Sequence, residues 1–354
     1  MKQYLYNLAT DKYNGRFAAV PKLMLFILSL VYGLIVRITI FFCRLKPYRL
    51  GCKVVSVGNI TLGGTGKTPL VELTARYLKS QGHKIAVLTR GYKRRIRQGC
   101  SIPNPETMGD EPFMLKIKLP EIPIIVNPDR VSAANTAMRD FGIDTVILDD
   151  GLQQWRIKKD LEIVAIDSRN AFGNRQMLPR GILREPLSSL KRADIFVLTK
   201  AGSDTANLKG FLRRVNPRAL ITQVVYHPVA FYELGRDNSE ISLDSLKGKT
   251  VALFCGIADP ESFRQTIQGS GINIGLSFIF PDHYPYRKED LENIIVETKN
   301  RGIDTIVTTE KDAVRLSASH IPQPVPRILV LRIELKIIEN EQGFYNRLLS
   351  LYPF

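Results

Sequence analysis

Residues 59–69 read NITLGGTGKTP, between a valine-rich stretch and an amphipathic one. Gly63, Gly64 and Gly66 permit a tight turn with exposed backbone N–H groups, and Lys67 and Thr68 follow directly. Those residue types in that order do phosphate chemistry. Free N–H groups and an ammonium neutralise phosphate oxygens, and a hydroxyl just behind the lysine ligates Mg2+. The strict GxxxxGK[ST] spacing asks for glycine where the chain has Thr61, but GGTGKT behind a strand outweighs that departure. A dinucleotide fingerprint would lack the Lys-Thr pair. The expected cradle is therefore Thr61, Gly63, Gly64, Thr65, Gly66, Lys67 and Thr68, holding a nucleoside triphosphate.

Carboxylates come next. TVILDDG places Asp149 and Asp150 at the end of a β-branched run, where a carboxylate beside a phosphate loop holds Mg2+ or its water shell. Asp110 and Glu111 fall at the start of a short helix, where helix N–H groups favour acids. Asp282-His283-Tyr284 follows an apolar strand, a setting in which an exposed histidine orients a carboxylate or exchanges a proton. In the Gly-, Pro- and Arg-rich segment 171–190, Arg175, Arg180 and Arg184 either contact a second anionic group or face solvent. The other histidines, His83, His227 and His320, form no motif with His283, and no ligand cluster suits zinc. Cys43, Cys52, Cys100 and Cys255 show no CxxC spacing, which argues against a disulfide scaffold.

The elements that must carry these groups alternate. Strand-like runs at 53–59, 85–92, 122–130, 145–151, 161–168 and 193–200 are separated by helical patterns at 67–82 and 131–141. The pattern predicts α/β architecture: a P-loop NTPase-like lobe with a parallel sheet, and a smaller α/β C-terminal lobe. At 354 residues two lobes are the default. The expected division is 1–46 as a membrane-anchoring helix region, 47–220 as the P-loop core and 221–354 as the second lobe. On this division Asp110 and His283 lie in different lobes.

The apolar run LMLFILSLVYGLIV, Leu23 to Val36, continues past Arg37 to Cys43. As a helix it is about 31 Å long, near the hydrocarbon thickness of a bilayer. No cleavage pattern follows it, so a membrane helix is expected, either spanning or interfacial. Basic residues flank both ends. Residues 1–100 hold 18 Lys and Arg against two acids, whereas the remainder is neutral on balance, so the net charge of +16 is confined to the apolar end. Anionic lipid suits that distribution better than nucleic acid, for which no RNP-like aromatic motif or finger is present.

A succession of motifs resembles one family along nearly the whole chain: SVGNITLGGTGKTP, RGYKRR, MGDEPFML, NPDR, LDDGLQQW, FGNRQMLPRGILREP, FPDHYPY and TTEKDAVRL. It is the bacterial tetraacyldisaccharide 4'-kinase family of lipid A biosynthesis. The resemblance implies transfer of the ATP γ-phosphoryl group to the 4'-hydroxyl of a tetraacylated glucosamine disaccharide 1-phosphate, giving lipid IVA. It implies ATP and Mg2+ as cofactors and the cytoplasmic face of the inner membrane, with anionic lipids around the helix. No nucleic acid and no obligate protein partner are expected. Asp110 matches the family's catalytic aspartate and His283 its partner. Lys67 stabilises the transferring group, while Thr68, Asp149, Asp150 and Glu185 serve the metal. Arg90, Arg94, Arg130, Asn174, Arg175 and Arg184 are substrate-side residues, and Lys93, Arg95 and Arg97 add charge for the 1-phosphate or the membrane. The family reads DDG-x-QH, whereas this chain has Gln154, which hydrogen-bonds but does not titrate. A membrane-associated GTPase or transport switch is the main alternative, but LTKAGSD and LDDG do not fit its NKxD and DxxG motifs.

Overall fold

A computed structural model describes residue 11 and residues 18–91, 105–200, 205–235, 239–316 and 327–352 of the 354, apart from the side chain of Glu106. Contacts divide the chain into two units. The first comprises Met1–Arg90, Leu119–Val225 and Lys336–Phe354, and the second comprises Gly91–Lys118 and Tyr226–Leu335.

In chain order the strands are β1 (Lys53–Gly58), β2 (Ile85–Thr89), β3 (Ile124–Val126), β4 (Thr145–Asp149), β5 (Leu161–Asp167), β6 (Ile195–Thr199), β7 (Leu220–Glu233), β8 (Thr250–Cys255), β9 (Asn273–Ile279), β10 (Thr305–Thr309) and β11 (Arg327–Glu339). β7 and β11 each pass from one unit into the other.

In the first unit the order is β3-β2-β4-β1-β5-β6-β7, and every neighbouring pair is parallel. Strands buried on both faces read as continuous apolar runs, which is why VVSV, IAVL and TVIL carry no alternation. The run at 122–130 is expected as a buried strand and turn, and the strand differs in its burial. Only Ile124–Val126 is extended, and it is half-buried because it lies at the sheet edge with one neighbour. The helix Lys67–Ser80 buries Leu70, Val71, Thr74, Ala75 and Leu78. The helix Arg130–Phe141 buries Ala133, Ala134 and Ala137, starts under an Asp129 side-chain cap and stops at left-handed Gly142. Central β1 aligns Val57 with Asp149 of β4, so the turn after β4 emerges beside the glycine loop after β1.

The N-terminal helix runs from Ala19 to Leu45, 27 residues or about 40 Å. Its buried residues, Ser29, Gly33 and Val36, recur at helical spacing. Val36 joins the cluster of Ile60, Leu152, Phe172, Met177 and Leu183, with Tyr32 and Ile40 packed against it. The Tyr32 hydroxyl donates to the Arg184 carbonyl at 3.0 Å. Leu23, Met24, Ile27, Leu28, Leu30, Val31, Leu34, Ile35, Phe41 and Phe42 stay exposed, an apolar surface far beyond that of ordinary soluble domains.

In the second unit the order β11-β10-β8-β9 is again parallel. Phe231, Leu253, Phe263 and Leu329 fill one of its clusters, and Phe254, Tyr286, Ile294 and Ile306 another. The helix Asp110–Lys118 belongs to this unit: Lys118 pairs with Glu310 at 2.9 Å.

Candidate active site

In the first unit the glycine loop is built as phosphate chemistry requires. Gly66, at φ 78°, caps the helix Lys67–Ser80 in the left-handed region without a side-chain hydrogen bond, so the helix N-terminus keeps free N–H groups. A methyl group on Gly63 or Gly64 would meet nothing within 4 Å, so that side of the loop is open. The Thr65 hydroxyl is buried and has no partner among the described residues. Open glycines, an orphaned hydroxyl and a bare helix N-terminus together fit an anion the size of phosphate.

Around the loop sits a charge cluster that the sequence does not announce. Lys67 Nζ lies 3.5 Å from Asp150 Oδ1 and donates to Asn59 Oδ1 at 3.3 Å. Arg184 grips Asp150 with two bonds of 2.8 Å, Nη1 to Oδ2 and Nη2 to Oδ1, and Nη2 also reaches the carbonyl and side chain of Asn59. Burial alone would raise the Asp150 carboxyl, but the Arg184 bonds and Lys67 override it and bring the pKa down to about 2. Asp149 is buried at the end of β4 and accepts from the Thr89 hydroxyl at 3.2 Å. Thr68 is buried in the first turn of the helix.

Arg130 opens its helix only 2% exposed, donating Nη1 to the Asn127 carbonyl. Burial disfavours its charge and Asp149 supports it, while its Nε has no partner among the described residues. Arg90 follows β2 and is exposed. Asn174 and Arg180 both reach Asp11: the amide at 3.0 Å, the guanidinium through bonds of 3.1 and 2.8 Å. Arg175 stacks over the Phe211 ring, 5.6 Å from its centroid. Arg94, with Lys93, Arg95 and Arg97, lies outside the described residues.

Glu185 is held by protein donors. Its side chain is wholly buried: Oε1 accepts from Gln153 at 2.9 Å and from Trp155 at 3.0 Å, and Oε2 from Arg192 at 2.8 Å. A carboxylate held by three protein donors anchors its loop. Among the described residues no group of three or more His, Cys, Asp and Glu suits a metal ion. A Mg2+ ion would therefore rely on nucleotide phosphates beside Thr68, Asp149 and Asp150, as that hard cation commonly does.

In the second unit, Asp110 starts its helix behind left-handed Gly109, and His283 sits in the turn after β9 at φ 61°. The His283 N–H donates to the Gly256 carbonyl at 3.1 Å, and Nδ1 lies 3.2 Å from Asp110 Oδ2. Burial would raise the Asp110 carboxyl, but His283 and Arg315 hold it below the usual carboxylate range. Both residues belong to one unit, because Gly91–Lys118 groups with Tyr226–Leu335. Their contact thus lies within one unit, although residue spacing placed them in different lobes. Residue spacing missed two side chains of these clusters, Arg315 and Asn59. The motif TTEKDAVRL flagged the first without a role, and SVGNIT contained the second.

Residues 21–352 match the family model for tetraacyldisaccharide-1-P 4'-kinase. A tetraacyldisaccharide 4'-kinase from Halothermothrix orenii is 35% identical over 367 residues, covering 95% of this chain and 94% of its own. One from Desulfatibacillum aliphaticivorans is 38% identical over 331 residues, covering 87% and 86%. The crystal structure of LpxK from Aquifex aeolicus in complex with ATP aligns with a TM-score of 0.72 at 25% identity, over 94% of this chain and 99% of that one. With likeness of that extent in both sequence and fold, the chain belongs to the tetraacyldisaccharide-1-phosphate 4'-kinase family.

Proposed function

We propose that this chain transfers the γ-phosphoryl group of ATP to the 4'-hydroxyl of a tetraacylated glucosamine disaccharide 1-phosphate, giving lipid IVA and ADP at the cytoplasmic face of a bacterial inner membrane. The contact between Asp110 and His283 carries the reading, because a carboxylate held for proton acceptance is what a kinase needs and a GTPase switch does not.

Asp110 accepts the proton of the attacking hydroxyl while the bond from the γ-phosphorus to the bridging oxygen breaks toward ADP. His283 orients the carboxylate. Lys67 and the N–H groups of Gly63–Thr68 meet the phosphate oxygens, where position and charge neutralisation supply most of the catalysis. When bound beside Thr68, Asp149 and Asp150, Mg2+ supplies further neutralisation of the phosphates. Arg184 braces Asp150, which in turn pairs with Lys67. Exposed Arg90, with Arg94 and Arg175, suits an acidic head group, and Arg130 Nε, without a partner among the described residues, suits a phosphate oxygen. Asn174 shapes the loop that receives them. The helix Ala19–Leu45 holds one stripe against the body and opens its remaining faces, which supports seating in the membrane interface among anionic lipids and acyl chains.

The test is Asp110→Asn, with turnover on ATP and the lipid acceptor and nucleotide affinity measured together. Turnover should fall about 10²–10⁴-fold with affinity retained. Near-normal turnover would remove Asp110 from the role.

A further inference from the structure

The strand β10 ends in TTEKDAVRL, and the turn it makes is tied down from several directions. The Thr309 hydroxyl accepts from the Asp312 N–H at 3.2 Å and donates to Asp312 Oδ2 at 2.6 Å. Asp312, wholly buried, also accepts from the Tyr286 hydroxyl at 2.9 Å and the Gly256 N–H at 3.0 Å. Arg315 completes its shell, with Nη1 at 3.1 Å from Asp312 Oδ1 and 2.9 Å from the Gly256 carbonyl. Gly256 is tightly enclosed: a methyl group there would lie 3.0 Å from the Tyr286 hydroxyl and 3.1 Å from the Pro281 carbonyl.

From this base the Arg315 guanidinium, only 6% exposed, reaches Asp110. Nε donates to Asp110 Oδ2 at 2.7 Å, and Nη2 lies 3.3 Å from His283 Nδ1. Nδ1 either donates to Asp110 or accepts from Arg315, and in both tautomers the imidazole and the guanidinium stand against one carboxylate oxygen. Among the described residues no protein donor is assigned to Oδ1.

We propose that Arg315 is a positioning residue for phosphoryl transfer: its guanidinium pins Asp110 by Oδ2 and leaves Oδ1 to take the acceptor's proton. The proposal rests on Asp110 being the base. The other charged groups nearby do not substitute for Arg315. Glu111 on the same helix takes Lys311 at 3.5 Å, Asp282 adjoins His283, and Asp312 is an anion held from below. Removing Arg315 therefore takes the directly contacting guanidinium from Asp110, and a fixed fork from Asp110, Asp312 and Gly256 at once. Lysine restores the charge without the fork.

The experiment uses the full chain in detergent with MgATP and the tetraacyl disaccharide monophosphate. It follows kcat/KM against pH for the wild type, Arg315→Met and Arg315→Lys, with thermal unfolding in parallel. In Arg315→Met the acid limb should move to higher pH by about one unit or more, as loss of an adjacent cation raises a carboxyl. In Arg315→Lys the limb should stay in place while kcat falls about ten- to a hundred-fold, as expected of a misaligned base, with the KM for ATP unchanged. A folded Arg315→Met whose profile superimposes on the wild type overturns the proposal. So does wild-type kcat in Arg315→Lys, which decides the matter if the methionine variant does not fold. In an Asp110→Asn background Arg315→Lys should cost little more, since no base remains to be aimed; multiplying losses contradict the positioning role. High activity of Asp110→Asn alone would instead defeat the base assignment, so the two failures are distinguishable.

Discussion

Two glycine-to-alanine changes separate phosphate binding from folding. At Gly64 the added methyl would meet nothing within 4 Å, and the backbone is outside the left-handed region. The folded state should therefore lose nothing, while the unfolded chain loses conformational freedom, a stabilisation of about 0.4–1 kcal/mol. For a unit of this size that is an unchanged melting temperature or a rise of roughly 1–4 °C. Yet the methyl occupies the space in which a phosphate oxygen would rest. The KM for ATP should rise about ten-fold or more, or about 1.4 kcal/mol. Gly58→Ala is the opposite case. Its methyl would sit 2.6 Å from both the Cβ and the backbone N of Leu152, and no side-chain rotation relieves a backbone clash. Overpacking of that kind costs about 1–3 kcal/mol, several degrees of melting temperature. The assay is the KM for ATP at saturating lipid acceptor, with thermal unfolding with and without MgATP. The wild type should gain stability from the nucleotide and Gly64→Ala should gain much less. A stable Gly64→Ala with wild-type KM and wild-type nucleotide stabilisation would refute the reasoning, because the phosphates would then lie elsewhere.

Lys67→Ala should lower kcat about 10²–10³-fold, the usual cost of losing one donor at developing charge, with little change in melting temperature because Arg184 still holds Asp150. Unchanged ATP kinetics would count against it. Leu30 and Leu34 are 56% and 58% exposed, one turn apart on the N-terminal helix. Leu30→Glu with Leu34→Glu should cut sedimentation with anionic vesicles without unfolding the first unit, whose packing uses Ser29, Gly33 and Val36; full sedimentation would place the anchor on another surface. Asp150 gives a pH prediction. Its carboxyl is depressed from 3.8 to about 2, so its contribution to stability is complete above about 4 and disappears as pH falls through 2. The shift corresponds to about 2 kcal/mol at full strength, and with 42% of the side chain exposed, screening leaves about half. The gap in unfolding free energy between wild type and Asp150→Asn should shrink over that window; a gap independent of pH would show that the Arg184 grip stabilises nothing.

The glycine loop, the carboxylates after β4 and the parallel α/β sheet were readable because each is local. A strand, a turn and a helix leave their periods and their glycines within twenty residues. Asp110 at a helix start was local in the same way. What the pattern did not reveal depends on distant pairing. Arg184 and Asp150 are 34 residues apart, and an arginine in an irregular loop has no period that names its partner. Glu185 looked available because burial is invisible in a loop without alternation. Asp110 and His283 looked like residues of two lobes because 173 positions separate them, yet the segment bearing Asp110 packs within the second unit. Arg315 was hidden by its motif, since KDAVRL reads as an ordinary charged turn unless Asp312 is known to be buried.

The central claim is most directly tested with γ-labelled ATP, Mg2+ and the tetraacyl disaccharide monophosphate in detergent, with wild type beside Asp110→Asn. The account predicts label on the 4'-oxygen of the lipid with the wild type and almost none with the variant. Release of labelled inorganic phosphate at the same rate with or without lipid, and no labelled lipid, would contradict it.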